Sequence, residues 1–397
     1  MTDAVSSPRD ARAGIGLFLI AALLFFCAMS GTTLPTPLYT LYRQQMDLSQ
    51  AMITVIFAVY AGGVIAALVL TGRWSDQIGR KPMLYAGVGL SVASDLVFCL
   101  AGPLWLVLLA RMISGLSAGI FASTATATVM DLAPPRHVKL GVLVATAANM
   151  GGLGAGPLLA GAAALLMPLP LLTPYLLHLA LICLAALCFR HVPERVTKAA
   201  RPDWSPQSLA LPPEVRRAFL PAAIAAVAGF MVFGFYSAVI PGFLGQIMGY
   251  HSPLLIGFVA GFIFLASTLG QALVGHIGAG WRGPLGCLVL GAGTTIMAFA
   301  FQMQSLPLLL LATLVAGLGH GLAFRSGLAA IGAAAPDTDR AGVISLYFVV
   351  SYLAISVPVV IFGLLTLALP LAPLATGFAI LATALCLLAL SLLIRHR

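Results

Sequence analysis

Twelve long apolar stretches, separated by short polar loops, constrain this chain more than any other feature of its sequence. Of the 397 residues, 61% are hydrophobic and only 8% are charged, whereas soluble domains carry roughly 25% charged residues. Each stretch is long enough for a helix to cross a bilayer, which takes about 20 apolar residues. The stretches lack the alternating pattern of membrane β-barrel strands. We therefore predict an all-α integral membrane protein with twelve transmembrane helices.

The twelve predicted spans fall into two sets of six. They cover about residues 13–37, 51–71, 82–101, 104–130, 140–167 and 171–189, then 218–244, 254–275, 284–302, 308–335, 341–369 and 374–394. A proline-rich segment of mixed charge separates the sets, and we interpret it as a solvated cytoplasmic linker. The predicted organisation is a six-helix bundle at 1–190, the linker at 191–217 and a second six-helix bundle at 218–397.

The two predicted bundles resemble copies of one another. One constant shift along the chain carries Arg80, Pro82, Gly115, Leu116, Gly119, Ala133 and Pro134 onto Arg282, Pro284, Gly317, Leu318, Gly321, Ala335 and Pro336. Two six-helix bundles in parallel repeat around a central cavity are the plan of a transporter that binds its substrate near the midplane.

The positive charges give the predicted orientation. All but three of the 20 Lys and Arg residues lie in loops or at span ends that face one side of the membrane, the exceptions being Arg43, Arg111 and Arg325. Because basic residues collect on the cytoplasmic side, we expect both termini in the cytoplasm and the protein in a prokaryotic inner membrane. Nucleic acid is not expected as a partner, because no basic run is interleaved with aromatic residues.

The loop between the second and third spans carries the most specific motif. It reads Gly72-Arg73-Trp74-Ser75-Asp76-Gln77-Ile78-Gly79-Arg80-Lys81-Pro82. It resembles the signature loop G-x-L-A-D-R-x-G-R-K of the major facilitator superfamily, and it departs from that pattern at Trp74, Ser75 and Gln77. The twelve-span layout and the repeat extend the resemblance over the whole chain.

The resemblance implies a conformational latch built from Gly72, Asp76, Gly79, Arg80, Lys81 and Asp131. Asp76 would meet the N-terminal end of the eleventh helix, near Ala341–Gly342. Arg80 would pair with Asp131, the acid at the inner end of the fourth helix. This cluster would lock the two halves in the outward-facing state. The second copy of the loop has Gly278 in place of Asp76, so the latch is expected on one side only.

The fifth span resembles the G-x-x-x-G-P-x-x-G-G signature of 12-helix drug:proton antiporters. It reads Gly152-Leu153-Gly154-Ala155-Gly156-Pro157-Leu158-Leu159-Ala160-Gly161, and the motif residues are Gly152, Gly156, Pro157 and Gly161. Glycine lets helices approach closely, and proline permits a bend. The fourth span also resembles the family element R-x-x-Q-G, with Ser114 in the place of Gln. The resemblance favours export over import.

Ionisable side chains inside a span are functional candidates, because burying a charge there costs several kcal/mol. Asp95 and Arg111 lie at the same predicted depth on consecutive antiparallel helices, and we hypothesise a salt bridge between them that opens on protonation. His320 and Arg325 fall in the middle of the tenth span, where we expect Arg325 to contact an anionic substrate or an acid. His178 is interpreted as structural, on the lipid-facing side of the sixth span.

The resemblance also directs the search for a coupling proton. Proton-coupled members of this family often carry a carboxylate in the first or fourth helix, and these helices have none at membrane depth here. We therefore expect Asp95 or His320 to carry the proton, unless coupling differs, and a structural role for His320 stays open. Candidate polar groups of the cavity, or of hydrogen bonds between helices, are Asn149, Tyr236, Gln271, Tyr347 and Tyr352.

Together these features predict a secondary active transporter that works by alternating access. The first interpretation is proton-coupled efflux of small amphipathic or drug-like molecules. The alternative with the same fold is an importer, symporter or exporter of sugars or organic anions, since two arginines inside spans suit an anion. The alternative from another class is a non-transporting membrane receptor.

Enzymatic activity and cofactors are not expected. The seven histidines are scattered, the six cysteines all lie in apolar runs, and no G-x-x-x-x-G-K-[ST] loop for ATP occurs. The expected partners are a small-molecule substrate, protons as the coupling ion and the lipid bilayer, and we expect a monomer.

Overall fold

Helices account for all the regular structure that the computed structural model describes, which covers residues 8–134 and 138–395. The long helices are α1 (Pro8–Thr33), α2 (Gln50–Thr71), α3 (Arg80–Cys99), α4 (Leu104–Leu132), α5 (Val138–Leu166), α6 (Thr173–Phe189), α7 (Arg216–Ala238), α8 (Pro253–Leu273), α9 (Arg282–Met303), α10 (Leu306–Ala334), α11 (Arg340–Leu365) and α12 (Leu371–Arg395). Among the described residues, eleven helices are long and apolar enough to cross a membrane, and α6 is a shorter apolar helix. The all-α prediction is confirmed. Arg136 and Arg397, which the charge argument counts, lie outside the described residues.

The molecule has two ends, which are called the linker end and the far end. The linker end carries residues 72–81, 190–217 and 340–342, and the far end carries residues 34–50 and 238–252. The N-terminal half is α1–α6 and the C-terminal half is α7–α12.

Three helices that begin at the far end start with a serine cap. The side chains of Ser49, Ser252 and Ser305 accept hydrogen bonds from backbone N–H groups in the first turns of α2, α8 and α10. A serine there satisfies an N–H group that the first turn of a helix leaves unpaired. The starting points of these helices are therefore local features of the sequence.

The first helix is shorter than the predicted span at 13–37. It is followed by a 3-10 turn at Thr36–Leu38 and a short helix at Tyr39–Met46. Pro35, which precedes this turn, has no backbone N–H and so cannot donate the hydrogen bond that would extend the helix at this point. The C-terminal half shows the same break after α7, where the short helix Ile240–Gln246 follows.

The two halves touch backbone to backbone where α5 packs on α8. A side chain at Gly257 would collide with the Pro157 carbonyl, and a side chain at Gly161 would collide with the Pro253 carbonyl. Helices approach this closely only where the facing residues are small. These contacts lie in the half of α5 nearer the far end, so the two halves of the chain meet there.

The other glycines of the predicted exporter motif face a different helix. A side chain at Gly152 would collide with the Phe26 carbonyl of α1, and one at Gly156 would collide with the Ser30 carbonyl. The motif therefore serves two contacts: Gly152 and Gly156 hold α5 against α1 within the N-terminal half, whereas Gly161 lies at the contact between halves.

A second contact between the halves joins α2 and α11. Near the far end, a side chain at Gly363 would collide with Thr54. Nearer the middle, Phe348 and Tyr352 of α11 pack against a buried cluster that includes Tyr60. Aromatic side chains therefore fill the centre of this contact.

Candidate functional site

Arg80 lies at the centre of a charge cluster at the linker end. Its guanidinium donates to the Asp76 carboxylate and, through Nε at 3.2 Å, to the Asp131 carboxylate. It also donates to the Ser75 hydroxyl at 3.0 Å. The Arg80 side chain is 18% exposed and that of Asp76 is 65% exposed, so the arginine is the buried member. All four residues belong to the N-terminal half.

Glu194, a linker residue that the sequence analysis missed, extends this cluster. Its carboxylate accepts a hydrogen bond from the Lys81 N–H at 2.8 Å, at the start of α3. Partial burial alone would raise the pKa of Glu194, but the backbone N–H groups of Val196, Lys81, Arg80 and Arg195 outweigh it and lower the pKa. An anion at a helix N-terminus is also favoured by the helix dipole. No sequence motif marks this acid, because its partners come from a distant loop.

The linker contacts the signature loop, while most of its residues are exposed to solvent. The Ala199 N–H donates to the Gln77 carbonyl at 2.8 Å, and the Gln77 amide donates to the Asp203 carbonyl at 3.2 Å. The Trp74 and Trp204 rings meet edge to face with centroids 5.0 Å apart. Trp74 and Gln77 are two of the three positions that depart from the family pattern.

The predicted meeting of Asp76 with the start of the eleventh helix is not present in this conformation. Asp76 has its ion pair with Arg80, and Ser208 and Ala210 of the linker pack at Gly342 instead. The linker therefore occupies the place that the prediction gave to Asp76. The Arg80 cluster links elements of the N-terminal half and does not bridge the two halves here.

Arg111 is buried at the contact between the two halves. Its side chain is 1% exposed, and Nη1 donates to the Thr32 carbonyl of α1 at 2.7 Å. The guanidinium carbon lies 4.5 Å from the centre of the Tyr60 ring and 5.9 Å from that of Phe57. Its Nε has no hydrogen-bond partner, and it forms no ion pair with a described carboxylate. A buried positive charge therefore stands at this interface with only neutral neighbours.

Tyr60 extends the Arg111 site across the interface. Its side chain lies close to Thr32 of α1 and packs with Tyr352 of α11. The site thus combines residues of α1, α2, α4 and α11, from both halves of the chain.

The predicted Asp95–Arg111 salt bridge is wrong. Asp95 Oδ2 lies 2.7 Å from His178 Nδ1, and His178 Nε2 lies 2.8 Å from the Cys27 carbonyl oxygen. Next to Asp95, Ser94 of α3 faces α4, where its hydroxyl donates to the Ala110 carbonyl. Equal depth did not imply a shared face, because one residue step turns a helix by about 100°.

His178 is not on a lipid-facing side, which corrects a second interpretation. Its side chain has 0% exposure and that of Asp95 has 5%. The imidazole lies over Gly31, where any side chain would collide with the ring. The pair therefore fills an enclosed space between α1, α3 and α6.

His320 lies in an aromatic cluster of the C-terminal half. Its Nδ1 is 2.9 Å from the Ser267 hydroxyl, while its Nε2 is buried without a hydrogen-bond partner. Ring centroids of Phe233 and Phe324 lie 4.1 and 5.6 Å from that of the imidazole. This environment favours a neutral imidazole with one unused nitrogen.

Arg325 donates to a backbone carbonyl and forms no ion pair with an acid of the described residues, so its contact with an anionic substrate stays a prediction. Its Nη1 donates to the Gln271 carbonyl at 2.6 Å, and the Gln271 side-chain nitrogen is buried without a partner. The remaining candidate polar groups divide into two kinds. Tyr236 is satisfied by the Thr313 hydroxyl at 2.8 Å, whereas buried oxygens of Asn149 and Tyr347 have no partner.

A cavity of about 540 Å³ lies between the halves at the far end. Its lining includes Tyr39 and Arg43 from the N-terminal half and Gln246 and His251 from the C-terminal half. Beside it, the Gln50 amide donates to the Ala238 carbonyl at 2.9 Å and closes the two halves against each other. No motif in the sequence marks this region, because its residues come largely from two short helices that the pattern of apolar spans does not predict.

In the described parts of the chain, twelve apolar helices meet along glycine contacts and bury polar groups between two halves, which is the architecture of a multi-pass membrane transporter. The chain belongs to the Major Facilitator Superfamily, whose family model matches residues 21–357.

The curated relatives match shorter parts of the chain. Multidrug resistance protein 2 of Bacillus subtilis (strain 168) is 29% identical over 150 residues, which is 36% of this chain and 37% of that protein. Tetracycline resistance protein, class E, of Escherichia coli is 31% identical over 107 residues, 27% of this chain and 26% of that protein. Multidrug resistance protein MdtL of Escherichia coli (strain K12 / DH10B) is 32% identical over 92 residues, 23% and 24% of the two chains. The chain thus spans well under half the length of these relatives.

Solved structures show the same fold along nearly the whole chain. A bacterial homolog of the human lysosomal transporter Spinster, in an inward-facing and unoccupied conformation, has a TM-score of 0.71 at 16% identity and covers 99% of both chains. A peptide transporter in complex with alafosfalin has a TM-score of 0.75 at 16% identity, covering 97% of this chain and 95% of the other.

Proposed function

We propose that this protein is a secondary active transporter that exports small amphipathic molecules in exchange for protons across a prokaryotic plasma membrane. The linker end faces the cytoplasm in this proposal, because the basic loop residues are concentrated there. Substrate binds between the halves, and the linker end and far end open in turn. The moving units are residues 1–190 and 218–397, joined by the linker at 191–217.

The observation that carries the substrate class is the chemistry around Arg111. Its guanidinium offers an unused N–H group beside the aromatic faces of Tyr60 and Phe57. Tyr352 from the other half adds a hydroxyl and another ring. Aromatic walls with a few placed polar groups suit a molecule that has an apolar body and one hydrogen-bond acceptor or negative group.

Export rather than import is supported by two observations. The fifth helix carries the exporter motif, and its glycines take part in close helix contacts on two faces. The names of the matched relatives, multidrug resistance proteins and a tetracycline resistance protein, point the same way.

Efflux of tetracycline and ethidium tests the proposal. We expect the protein, expressed in an exporter-deficient bacterial host, to lower accumulation of at least one probe. In everted vesicles with an acid interior, adding that probe should release protons. Arg111→Ala should abolish both signals, whereas Ser123→Ala, which removes a hydroxyl bonded only within α4, should leave them unchanged. Normal membrane expression with neither lowered probe accumulation nor proton release would contradict the proposal of drug:proton exchange.

Transport of organic anions is the second candidate. Arg111 and Arg325 both donate to backbone carbonyls, and neither forms an ion pair with a carboxylate in the described parts of the chain. Salicylate is a suitable probe. Uptake of salicylate into everted vesicles, lost in Arg111→Ala, would favour this candidate over neutral or cationic drugs.

A further inference from the structure

We propose that Asp95 and His178 together form the proton-binding site that drives transport, separate from the substrate interface. This inference rests on the proposed function and deepens it by assigning the coupling proton to one pair. The site lies inside the N-terminal half, where α3 supplies the carboxylate, α6 the imidazole and α1 the Cys27 carbonyl.

The contacts of the imidazole define the protonation state of the pair. A carbonyl oxygen can only accept, so His178 Nε2 must carry a hydrogen and donate it to Cys27. The contact of 2.7 Å between His178 Nδ1 and Asp95 Oδ2 needs one further proton between the two atoms. Wherever that proton resides, the pair has no net charge. Neutrality explains how an acid and a base share a space without water contact.

Loss of the shared proton reverses the interaction. Asp95 is then a carboxylate, and His178 is a neutral imidazole whose Nδ1 lone pair faces it. The two atoms repel, and the site carries one uncompensated negative charge in an apolar space. The ring can no longer hold Asp95 and the Cys27 carbonyl at once. The two contacts therefore coexist only in the protonated site, and the loss of either one frees α6 to move relative to α3 or α1.

The surroundings contain few other groups that could take the proton. The helices around the pair carry further titratable side chains: Cys27 on α1, Cys99 on α3, Tyr175 on α6 and Arg111 on α4 lie in their membrane-embedded parts with Cys183 and Cys188 of α6, whereas Arg80, Lys81, Tyr85 and Asp131 lie towards the linker end. Tyr175 is hydrogen bonded to Tyr42, and Arg111 is directed at Thr32. Residues 140–166 of α5 include no acid, histidine or cysteine. Asp95 and His178 are thus the acid and the imidazole that can bind the proton in this region.

The first helix connects the proton site to the substrate interface. His178 is bonded to the Cys27 carbonyl, and Arg111 is bonded to the Thr32 carbonyl of the same helix. Five residues of helix separate the two carbonyls by about 7.5 Å. A shift of α1 when the proton leaves would therefore move the Thr32 carbonyl to which Arg111 is bonded. One proton released to the cytoplasm and one regained from outside complete the cycle.

Purified full-length protein in liposomes tests this assignment, with the tetracycline or ethidium that the efflux experiment identifies as the probe. Asp95→Asn retains a hydrogen-bonding side chain of the same shape but cannot lose the proton. We expect probe exchange without a gradient to stay within about twofold of the unsubstituted protein, and transport driven by a pH gradient to fall by at least about tenfold. Proton release on probe addition should vanish.

Three further variants separate coupling from packing. Ser94→Ala removes a buried hydrogen bond at the next position of α3 and should keep gradient-driven transport. His178→Gln should match Asp95→Asn. His320→Gln tests the other buried histidine and should keep proton release.

The outcomes distinguish this inference from the proposed function. If the unsubstituted protein releases no protons with either probe, the proposed function fails. If it does, and Asp95→Asn still releases protons normally, the assignment is overturned. It is also overturned if Asp95→Asn loses gradient-free exchange and thermal stability together with driven transport, because the pair would then only hold helices together.

Discussion

At the scale of single residues, Arg111 is the side chain whose environment most restricts substitution. It is held by one carbonyl, by the ring of Tyr60 and by burial. A guanidinium stacks on a ring through its flat face, and such a contact is worth about 2 kcal/mol when water is excluded. Lysine offers a point charge with no flat face. The orientation of this charge, and not only its presence, is therefore specific to arginine.

Arg111→Lys should lower probe efflux by about tenfold, which corresponds to about 1.4 kcal/mol of lost transition-state stabilisation. The physical reason is that an ammonium cannot stack on Tyr60 and reach the Thr32 carbonyl with the same geometry. Initial rates of probe uptake into everted vesicles, normalised to protein amount, measure the effect. Equal rates for the two proteins would contradict the stacking argument.

The contacts of Glu194 predict how the stability of the protein depends on pH. Its pKa is lowered in the folded protein, so its contribution to stability is fully present above the ordinary carboxyl pKa and is lost as pH falls through the lowered value. We expect Glu194→Gln to reduce the melting temperature at about pH 7 and to have a smaller effect near about pH 4, where the carboxylate of the parent protein begins to protonate.

Thermal unfolding in detergent at both pH values measures this difference. Glu214→Gln, which replaces another acid near the end of the linker, is the matched control. An equal loss of melting temperature at both pH values for Glu194→Gln would contradict the charged contact with α3.

For single residues, the sequence predicts how deep a side chain lies in the membrane but not which neighbouring helix it faces. The sequence places Asp95 inside the third span, and the structure has it buried in α3. Its partner could not be predicted, because His178 comes from α6 and the relative rotation of α3 and α6 depends on packing against α1. The pairing of Arg80 with Asp131 was predicted from the family resemblance, because the family's motifs already reflect contacts in its three-dimensional structure.

At the scale of elements, the linker and the signature loop form one unit. Trp204, Asp203 and Ala199 contact the loop at Trp74 and Gln77, where it departs from the family pattern. The Gln207 N–H also donates to the Val69 carbonyl at the end of α2, at 2.7 Å. The departures are thus explained by an element that lies far away in the sequence.

Trp204→Ala should release the linker from the loop, because the edge-to-face ring contact is lost. We expect faster protease cleavage within residues 191–217, by several-fold, as local opening becomes easier. Limited proteolysis of the protein in membranes measures the rate. Leu209→Ala, an exposed linker position, is the control. Unchanged cleavage in Trp204→Ala would show that the ring contact does not hold the linker.

At the scale of the whole molecule, the halves are closed against each other at the far end. The α5–α8 glycine contacts, the Gln50–Ala238 hydrogen bond and the packing of Thr54 on Gly363 all lie on that side. At the linker end, linker residues Ser208 and Ala210 lie against the start of α11. A transporter that works by alternating access must break the far-end contacts in each cycle.

A crosslink at the far end should therefore stop transport. Gln50 lies against Gly242 of the other half, so Gln50→Cys combined with Gly242→Cys and a short cleavable crosslinker joins the two. We expect probe transport to fall to background after crosslinking and to return after cleavage. Each single cysteine variant is the control. Full transport in the crosslinked protein would contradict far-end opening.

Helix number, helix type and the concentration of positive charge follow from local composition, because apolar length and charge are properties of each segment alone. Serine caps and prolines also determine where several helices begin and end. The pairing of Asp95 with His178, the docking of the linker and the surroundings of Arg111 arise only when helices pack. Rotation about a helix axis leaves the apolar length of a segment unchanged, yet it decides which side chains meet. That rotation is set by close packing of glycines and aromatic rings from distant parts of the chain.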